Sequence, residues 1–326
     1  MLKITSYILT SLVVCSCSTI EKTSIRDQAK TSATEKSDVT LEYYQGAWDE
    51  SIQLAIKTKT STVAEQAAKR AMHQGNTNKA AAFYARAFEL DKKNVEAGYQ
   101  LAALHQKSGN VGQAEQLYRF LLKQSPRHLP SLEGIGLILL DQNNIKESRS
   151  FLVKTITIFQ NQGPGAHRAH NYTPIKAFNG LGLLSDRISD YKQAHSYYRQ
   201  GLKVDPNSIT LMHNLAYSLY LSGDWKQAEP LLRKVLRIQP KYTRAIYNLA
   251  LVNARARRFD RTIELLKQFM EPHEAINDAG YLAMMGGDNI LAEKLFQQAI
   301  DQAPSYNETA WRNMDKLKQL KLNPKE

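Results

Sequence analysis

The sequence predicts an all-α fold, a right-handed solenoid of about seven repeats that each contain two helices. The first observation is a fixed period. Small residues recur every 34 residues in two series, and one more follows after 30 residues (Ala80, Ala114, Ser148; Ala194, Ala228, Thr262; Ala292). The second is composition, because 43% hydrophobic and 23% charged residues indicate a folded chain rather than a disordered or membrane-embedded one.

Other residue types recur with the same period, at fixed positions of each repeat. In residues 175–208 they are Phe at position 4, Leu-Gly at 7 and 8, Ala at 20, Tyr at 24 and Pro at 32 (Phe178, Leu181, Gly182, Ala194, Tyr198, Pro206). This pattern resembles the tetratricopeptide repeat. Small residues at positions 8 and 20 let two amphipathic helices approach closely, and Pro ends the second helix.

The period divides the chain into segments. We expect a degenerate half-repeat at 41–60, a block of three tetratricopeptide repeats at 61–162, an inserted loop at 163–174, a block of four repeats at 175–306, and a capping helix and tail at 307–326. Repeat 243–272 is four residues short, which removes about one helical turn.

The N-terminal residues are typical of a lipoprotein signal peptide. Lys3 precedes an apolar stretch from Ile4 to Val14, which is too short to span a bilayer. Ser16 before Cys17 resembles a bacterial lipobox, whereas Val14 before Cys15 fits poorly. We therefore expect a signal peptide at 1–16, lipidation of Cys17, and a disordered tether at 17–40. The alternative is an ordinary secretory signal with incidental cysteines.

The formal net charge of +12 leaves several classes of partner open. Nucleic acid, anionic lipid, peptidoglycan carboxylates and acidic proteins all attract a basic surface. We expect no nucleic acid, because the sequence has no recognition motif for it, and favour a broadly solvated basic surface, with acidic partners next.

The sequence contains no motif for catalysis, so we expect no enzyme activity, cofactor, metal or small-molecule substrate. The nearest metal-binding candidate is the pair His167 and His170 in the insertion, which needs further ligands. A polar, solvated loop is the favoured interpretation.

The candidate site is the inner face of the first helices, at positions 2, 5, 9 and 12 of the repeats. These positions hold five tyrosines and three other polar residues (Tyr99, His213, Tyr217, Tyr220, Arg244, Tyr247, Asn277, Tyr281). Tyrosine offers apolar area with a hydrogen-bonding tip, which suits peptide capture. The alternative is that some tyrosines pack between helices. Glu274 and Asp278 replace the basic residues with which chaperone-binding repeats clamp a C-terminal carboxylate.

Residues 175–306 resemble a more specific family, the TadD lipoproteins of tight-adherence (Tad or Flp) pilus assembly. The short repeat 243–272 and the lipobox at Cys17 agree with it, as do four stretches of sequence (Phe178–Asp186, Asn214–Leu219, Tyr247–Leu251, Asn277–Asp288).

This resemblance implies a protein-interaction scaffold that helps assemble the pilus export machine by assisting its secretin. Ser18 after the lipidated cysteine implies the periplasmic face of the outer membrane. The alternative function is a general envelope scaffold for peptidoglycan hydrolases or polysaccharide export. A periplasmic enzyme would need a convergent polar cluster, which the sequence does not show.

Overall fold

The computed structural model describes residues 49–162 and 172–322, and these residues form helices without a β-strand. The helices are α1 (Asp49–Ile56), α2 (Ser61–His73), α3 (Thr77–Leu90), α4 (Val95–Lys107), α5 (Val111–Gln124), α6 (Leu129–Asp141), α7 (Ile145–Asn161), α8 (Ile175–Arg187), α9 (Tyr191–Val204), α10 (Ile209–Leu221), α11 (Trp225–Ile238), α12 (Thr243–Arg255), α13 (Phe259–Leu266), α14 (Pro272–Met285), α15 (Asn289–Gln302) and α16 (Glu308–Leu322).

From α2 to α15 the described helices form seven antiparallel pairs, each packed on the next. The predicted all-α solenoid of tetratricopeptide-type repeats is therefore confirmed. Helix α16 packs against α15 and α14 after the last pair, and α1 packs against α3. Since α3 is a second helix, α1 extends the second-helix side of the array.

In each of the seven described pairs, the turn between the two helices contains one residue with a left-handed backbone conformation. In four repeats that residue is glycine, and in the others it is Asn143, Ser189 or Arg257 (with Gly75, Gly109, Gly223 and Gly287). The spacing of these residues repeats the sequence period. The residue that follows each is the N-cap of the second helix, and in three repeats its side chain accepts a backbone N–H bond (Asn76, Asp190, Asp288).

Small residues at position 8 let a large side chain of the paired helix approach the backbone. A Cβ on Gly182 would lie 2.2 Å from a ring carbon of Tyr198, and one on Gly280 would lie 2.9 Å from Phe296. Two repeats have a hydroxyl side chain at position 20, and each hydroxyl donates to a backbone carbonyl of the first helix. Ser148 bonds the Gly136 carbonyl (2.7 Å), and Thr262 bonds the Ala250 carbonyl (3.3 Å). Close packing of the pair thus explains both residue preferences.

The stack continues across the predicted insertion, because α8 packs on both α6 and α7. Tyr172 packs against a buried cluster of Leu129, Leu132, Ile158 and Phe159. Glu133 of α6 accepts the backbone N–H of Ala177 (2.8 Å), in the first turn of α8. The N-cap of α8 is Pro174, which makes no side-chain cap bond, so Glu133 caps this helix from the preceding repeat.

Helix α13 has 8 residues, whereas the second helices of the other repeats have 14 or 17. The segment after it carries Phe269 and Met270, which pack with Tyr247 against the core. The short repeat therefore places additional apolar side chains beside a first helix.

Several predictions lie wholly or partly outside the described residues. These are the signal peptide at 1–16, Cys17, the tether at 17–40, residues 41–48 of the half-repeat, His167 and His170 of the insertion, and the tail at 323–326.

Candidate partner-binding surface

The first helices of consecutive repeats contact one another directly, from α4 and α6 through to α14 and α16. Side chains at equivalent positions of these helices therefore line one continuous surface, which we call the first-helix face. All eight residues predicted to bind a partner lie on helices of this face.

Four tyrosines form a group on the first-helix face, which we call the tyrosine strip: Tyr217 and Tyr220 on α10, Tyr247 on α12 and Tyr281 on α14. All four are half-buried. Tyr220, Tyr247 and Tyr281 each pack against a core cluster, so part of each ring is held by the fold while the rest faces solvent. Core packing, the predicted alternative, and partial exposure thus occur in the same side chains.

Three tyrosines of the strip, Tyr217, Tyr220 and Tyr247, have uncharged hydroxyl groups near neutral pH. Burial raises the pKa of the Tyr217 and Tyr220 hydroxyls. Burial, with the nearby Asp278 carboxyl, raises the pKa of Tyr247 to about 12. The hydroxyls therefore stay protonated and offer a donor and an acceptor each.

Two aromatic contacts border the tyrosine strip. The Phe269 ring lies 6.5 Å from that of Tyr247, and the Lys316 ammonium of α16 lies 5.5 Å from the centroid of Tyr281. Lys316 lies over one face of the Tyr281 ring, so α16 borders the strip at this end.

His213 belongs to a hydrogen-bonded chain between neighbouring first helices. Asn248 Nδ2 lies 2.9 Å from His213 Nε2, His213 Nδ1 lies 3.1 Å from Asn214 Oδ1, and Asn214 Nδ2 donates to Asn179 Oδ1 (2.6 Å). The ring also packs edge-on against Tyr242 at 5.3 Å. Burial lowers the pKa of His213, and the Arg244 charge contributes. The imidazole is therefore neutral, and both nitrogens bond within the array.

Asn277 makes a second bond between first helices. Its Oδ1 accepts from Asn313 Nδ2 of α16 (3.0 Å), and its Nδ2 donates to Asp278 Oδ1 (3.3 Å). The residue is 4% exposed, so it fixes α16 on the array and offers little surface to a partner. Arg244, by contrast, is exposed.

Tyr99 lies apart from the tyrosine strip, on α4 of the first block. Its ring contacts Tyr118 at 6.2 Å and His128 at 5.6 Å, and the Glu133 carboxyl is close enough to raise its pKa further, beyond the effect of burial. The structure therefore divides the predicted set into the tyrosine strip, the polar bonds of His213 and Asn277, the exposed Arg244, and a separate site around Tyr99.

A small cavity of about 270 Å³ adjoins the tyrosine strip at α14 and α16 (Met270, His273, Glu274, Asn277, Asp278, Asn307, Thr309). Burial raises the pKa of the Asp278 carboxyl, and the negative charge of Glu274 raises it further. These two acids stand where a carboxylate clamp would need bases. The strip therefore ends at an acidic rather than a basic pocket.

Across residues 49–162 and 172–322, no group of three or more His, Cys, Asp or Glu side chains is placed to hold a metal ion. In those same residues no helix has the length and apolar character needed to cross a bilayer.

The sequence matches a family model of the tetratricopeptide repeat over residues 71–129 and 189–250. No curated protein sequence matches the chain. The model match identifies the repeats within these two segments as tetratricopeptide repeats, a fold that binds proteins and peptides and is typically non-catalytic, and the other described helix pairs have the same paired architecture.

Among solved structures, the chain is similar to PilF of Pseudomonas aeruginosa, with 18% identity, a TM-score of 0.50, and coverage of 82% of this chain and 98% of that one. It is also similar to a tetratricopeptide repeat protein of Parabacteroides merdae (15% identity, TM-score 0.50, coverage 81% and 99%). PilW, a widely conserved type IV pilus biogenesis factor, has 18% identity, a TM-score of 0.48 and coverage of 77% and 97%. The first two share the fold of this chain.

Proposed function

We propose that this tetratricopeptide-repeat array is a scaffold lipoprotein on the periplasmic face of the outer membrane, where it binds a secretin or another protein of Tad pilus assembly. The observation that supports partner binding is the tyrosine strip on α10, α12 and α14. The rings of Tyr220, Tyr247 and Tyr281 pack against core clusters, and all four tyrosines of the strip are partly exposed. Side chains that are already ordered lose little entropy on binding.

The strip suits an extended or helical segment rather than a small molecule. Its tyrosines occupy three consecutive first helices, which are adjacent in pairs. A ligand that contacts all four must span about 20 Å, since packed helices lie about 8–10 Å apart. A protein segment has that length, and aromatic anchors commonly supply most of its binding energy.

The pilus role rests on the sequence resemblance of residues 175–306 to TadD lipoproteins. Two of the stretches that carry it, Asn214–Leu219 and Tyr247–Leu251, contain Tyr217 and Tyr247 of the strip. The repeat that is short in the sequence supplies Phe269 beside Tyr247. The residues that carry the resemblance therefore include residues of the candidate surface.

The test of partner binding replaces Tyr217 and Tyr247 together with alanine. Affinity for a purified secretin of the same organism should fall by about 2 kcal/mol, roughly 30-fold, while the helical content stays unchanged. Tyr306→Ala is the control, because Tyr306 is 76% exposed and outside the strip.

Full binding by the folded double variant would contradict the proposal. Binding that returns to the wild-type value at lower temperature would also contradict it, because the tyrosines would then act only in stability. Selective capture of a peptidoglycan hydrolase by the strip would move the role to a general envelope scaffold.

The lipid anchor rests on the lipobox-like Ser16-Cys17-Ser18. Labelled fatty acid should enter the full chain and the Cys15→Ser variant but not Cys17→Ser, and the acylated protein should sediment with outer membranes. Label that persists in Cys17→Ser would contradict lipidation at this residue.

A further inference from the structure

A groove runs along helix α7, the second helix of the third repeat, outside the first-helix face. It has a volume of about 670 Å³ and is lined by one side of α7 and by Arg127 of the turn before α6. The α7 residues are Lys146, Arg149, Ser150, Val153, Lys154, Thr157 and Ile158.

All charged side chains of the lining are positive. The lining contains four cationic side chains, Arg127, Lys146, Arg149 and Lys154, and no acidic one. In the part of the chain that the structure describes, none of the four forms an ion pair. The acid of α7, Glu147, pairs with Arg119 (2.9 Å) instead. Four uncompensated charges in one concavity favour a negatively charged ligand.

The groove is not uniformly polar. Val153 exposes 37% of its surface and Ile158 is buried at the wall, while Ser150 and Thr157 add hydroxyl groups. Lys146 and Thr157 are eleven positions apart, which is about 16 Å along a helix. That length accommodates about five residues of extended chain.

Val153 distinguishes between the anionic ligands that this charge would attract, because its exposed apolar side chain lies among the four cations that line the groove. A segment that alternates carboxylates with apolar side chains would pair with the four cations and cover Val153. We infer that this groove, the α7 groove, binds an acidic, partly apolar segment of a partner protein at a site separate from the tyrosine strip.

The probe is a short labelled peptide of alternating glutamate and leucine, with a serine-for-leucine version and vesicles of phosphatidylglycerol beside it. Arg149→Glu with Lys154→Glu reverses two charges in the groove. Arg261→Glu with Lys267→Glu is the matched control, because both residues are exposed, basic and distant in sequence from α7. Helical content of each full-length variant is measured first.

At about 0.15 M salt, the peptide should bind the groove variant at least about tenfold more weakly than the wild type, and the control within about twofold. Arg149→Gln with Lys154→Gln should give an intermediate loss, and the serine peptide should bind more weakly than the leucine peptide.

Three results would overturn the inference. Equal weakening in the control would show that net charge alone attracts the peptide. Unchanged binding by a folded groove variant would exclude the site. Binding of the vesicles but not the peptide through Arg149 and Lys154 would assign the groove to the membrane.

Discussion

The carboxyl group of Asp278 lies in an unfavourable setting for a charge. Burial raises its pKa, Glu274 of the same helix adds a like charge, and the bond from Asn277 Nδ2 (3.3 Å) compensates only in part. A raised folded-state pKa means that folding favours the protonated acid, so the charged form costs stability at neutral pH.

We therefore expect Asp278→Asn to raise the melting temperature by about 1–3 °C at pH 7. The cost of Asp278 is absent below its ordinary pKa of 3.8 and grows as the pH rises through the folded-state pKa, so the gain should disappear near pH 3. Thermal melts at several pH values measure it, with the exposed Glu264→Gln as control. A gain of equal size at pH 3 and pH 7 would contradict the burial of a charge.

Repeat position predicted which residues lie on the first-helix face, but not what each one does there. Repeat position assigns both Tyr217 and His213 to the first-helix face, yet the His213 side chain bonds Asn214 and Asn248. Such bonds depend on side-chain rotamers and on residues 35 positions away in sequence. The sequence signal that could have found them is the asparagine at position 5 or 6 of successive repeats (Asn179, Asn214, Asn248, Asn277).

At the level of helices, the N-terminal cap of α8 connects the block of three repeats to the block of four. Pro174 supplies no cap, and the buried Glu133 of α6 accepts the Ala177 N–H instead. Burial raises the pKa of Glu133, although the bonded N–H groups oppose this. We therefore expect the cap to depend on a hydrogen-bond acceptor at this position more than on the negative charge of Glu133.

We expect Glu133→Ala to lower the free energy of unfolding by about 1–3 kcal/mol, because it leaves backbone N–H groups of α8 without an acceptor. Glu133→Gln retains an acceptor oxygen and avoids burying a charge, so it should be as stable as the wild type or more so at pH 7. Urea denaturation measures both. A glutamine variant as unstable as the alanine variant would mean that the carboxylate charge, not the acceptor, holds α8.

Sequence periodicity predicted the paired helices well because the residue types it uses have a direct steric role. Gly182 is required by the Tyr198 ring, for example. The periodicity predicted the turns between paired helices less completely, because Ser189 and Arg257 adopt the left-handed conformation that glycine has in four other repeats. The cap by Glu133 could not be predicted, since it joins residues 44 positions apart across an insertion.

The whole array presents two surfaces of different chemical character. The tyrosine strip consists of aromatic side chains and is bordered by Asp278, whereas the α7 groove is lined by four cations. They lie on different helices and different blocks, so a scaffold with both could hold two segments at once. Linking two modest sites raises the total affinity well above that of either alone.

Site-specific photo-crosslinking in the native envelope tests directly whether a partner segment lies along the tyrosine strip. A photoreactive residue replaces Tyr217 or Tyr281 in the full-length protein, and exposed second-helix positions Gln193 and Lys294 serve as controls. Both strip positions should crosslink to the same pilus-assembly protein, and the two control positions should not. Crosslinks that form only at the second-helix positions, with none at Tyr217 or Tyr281, would contradict it.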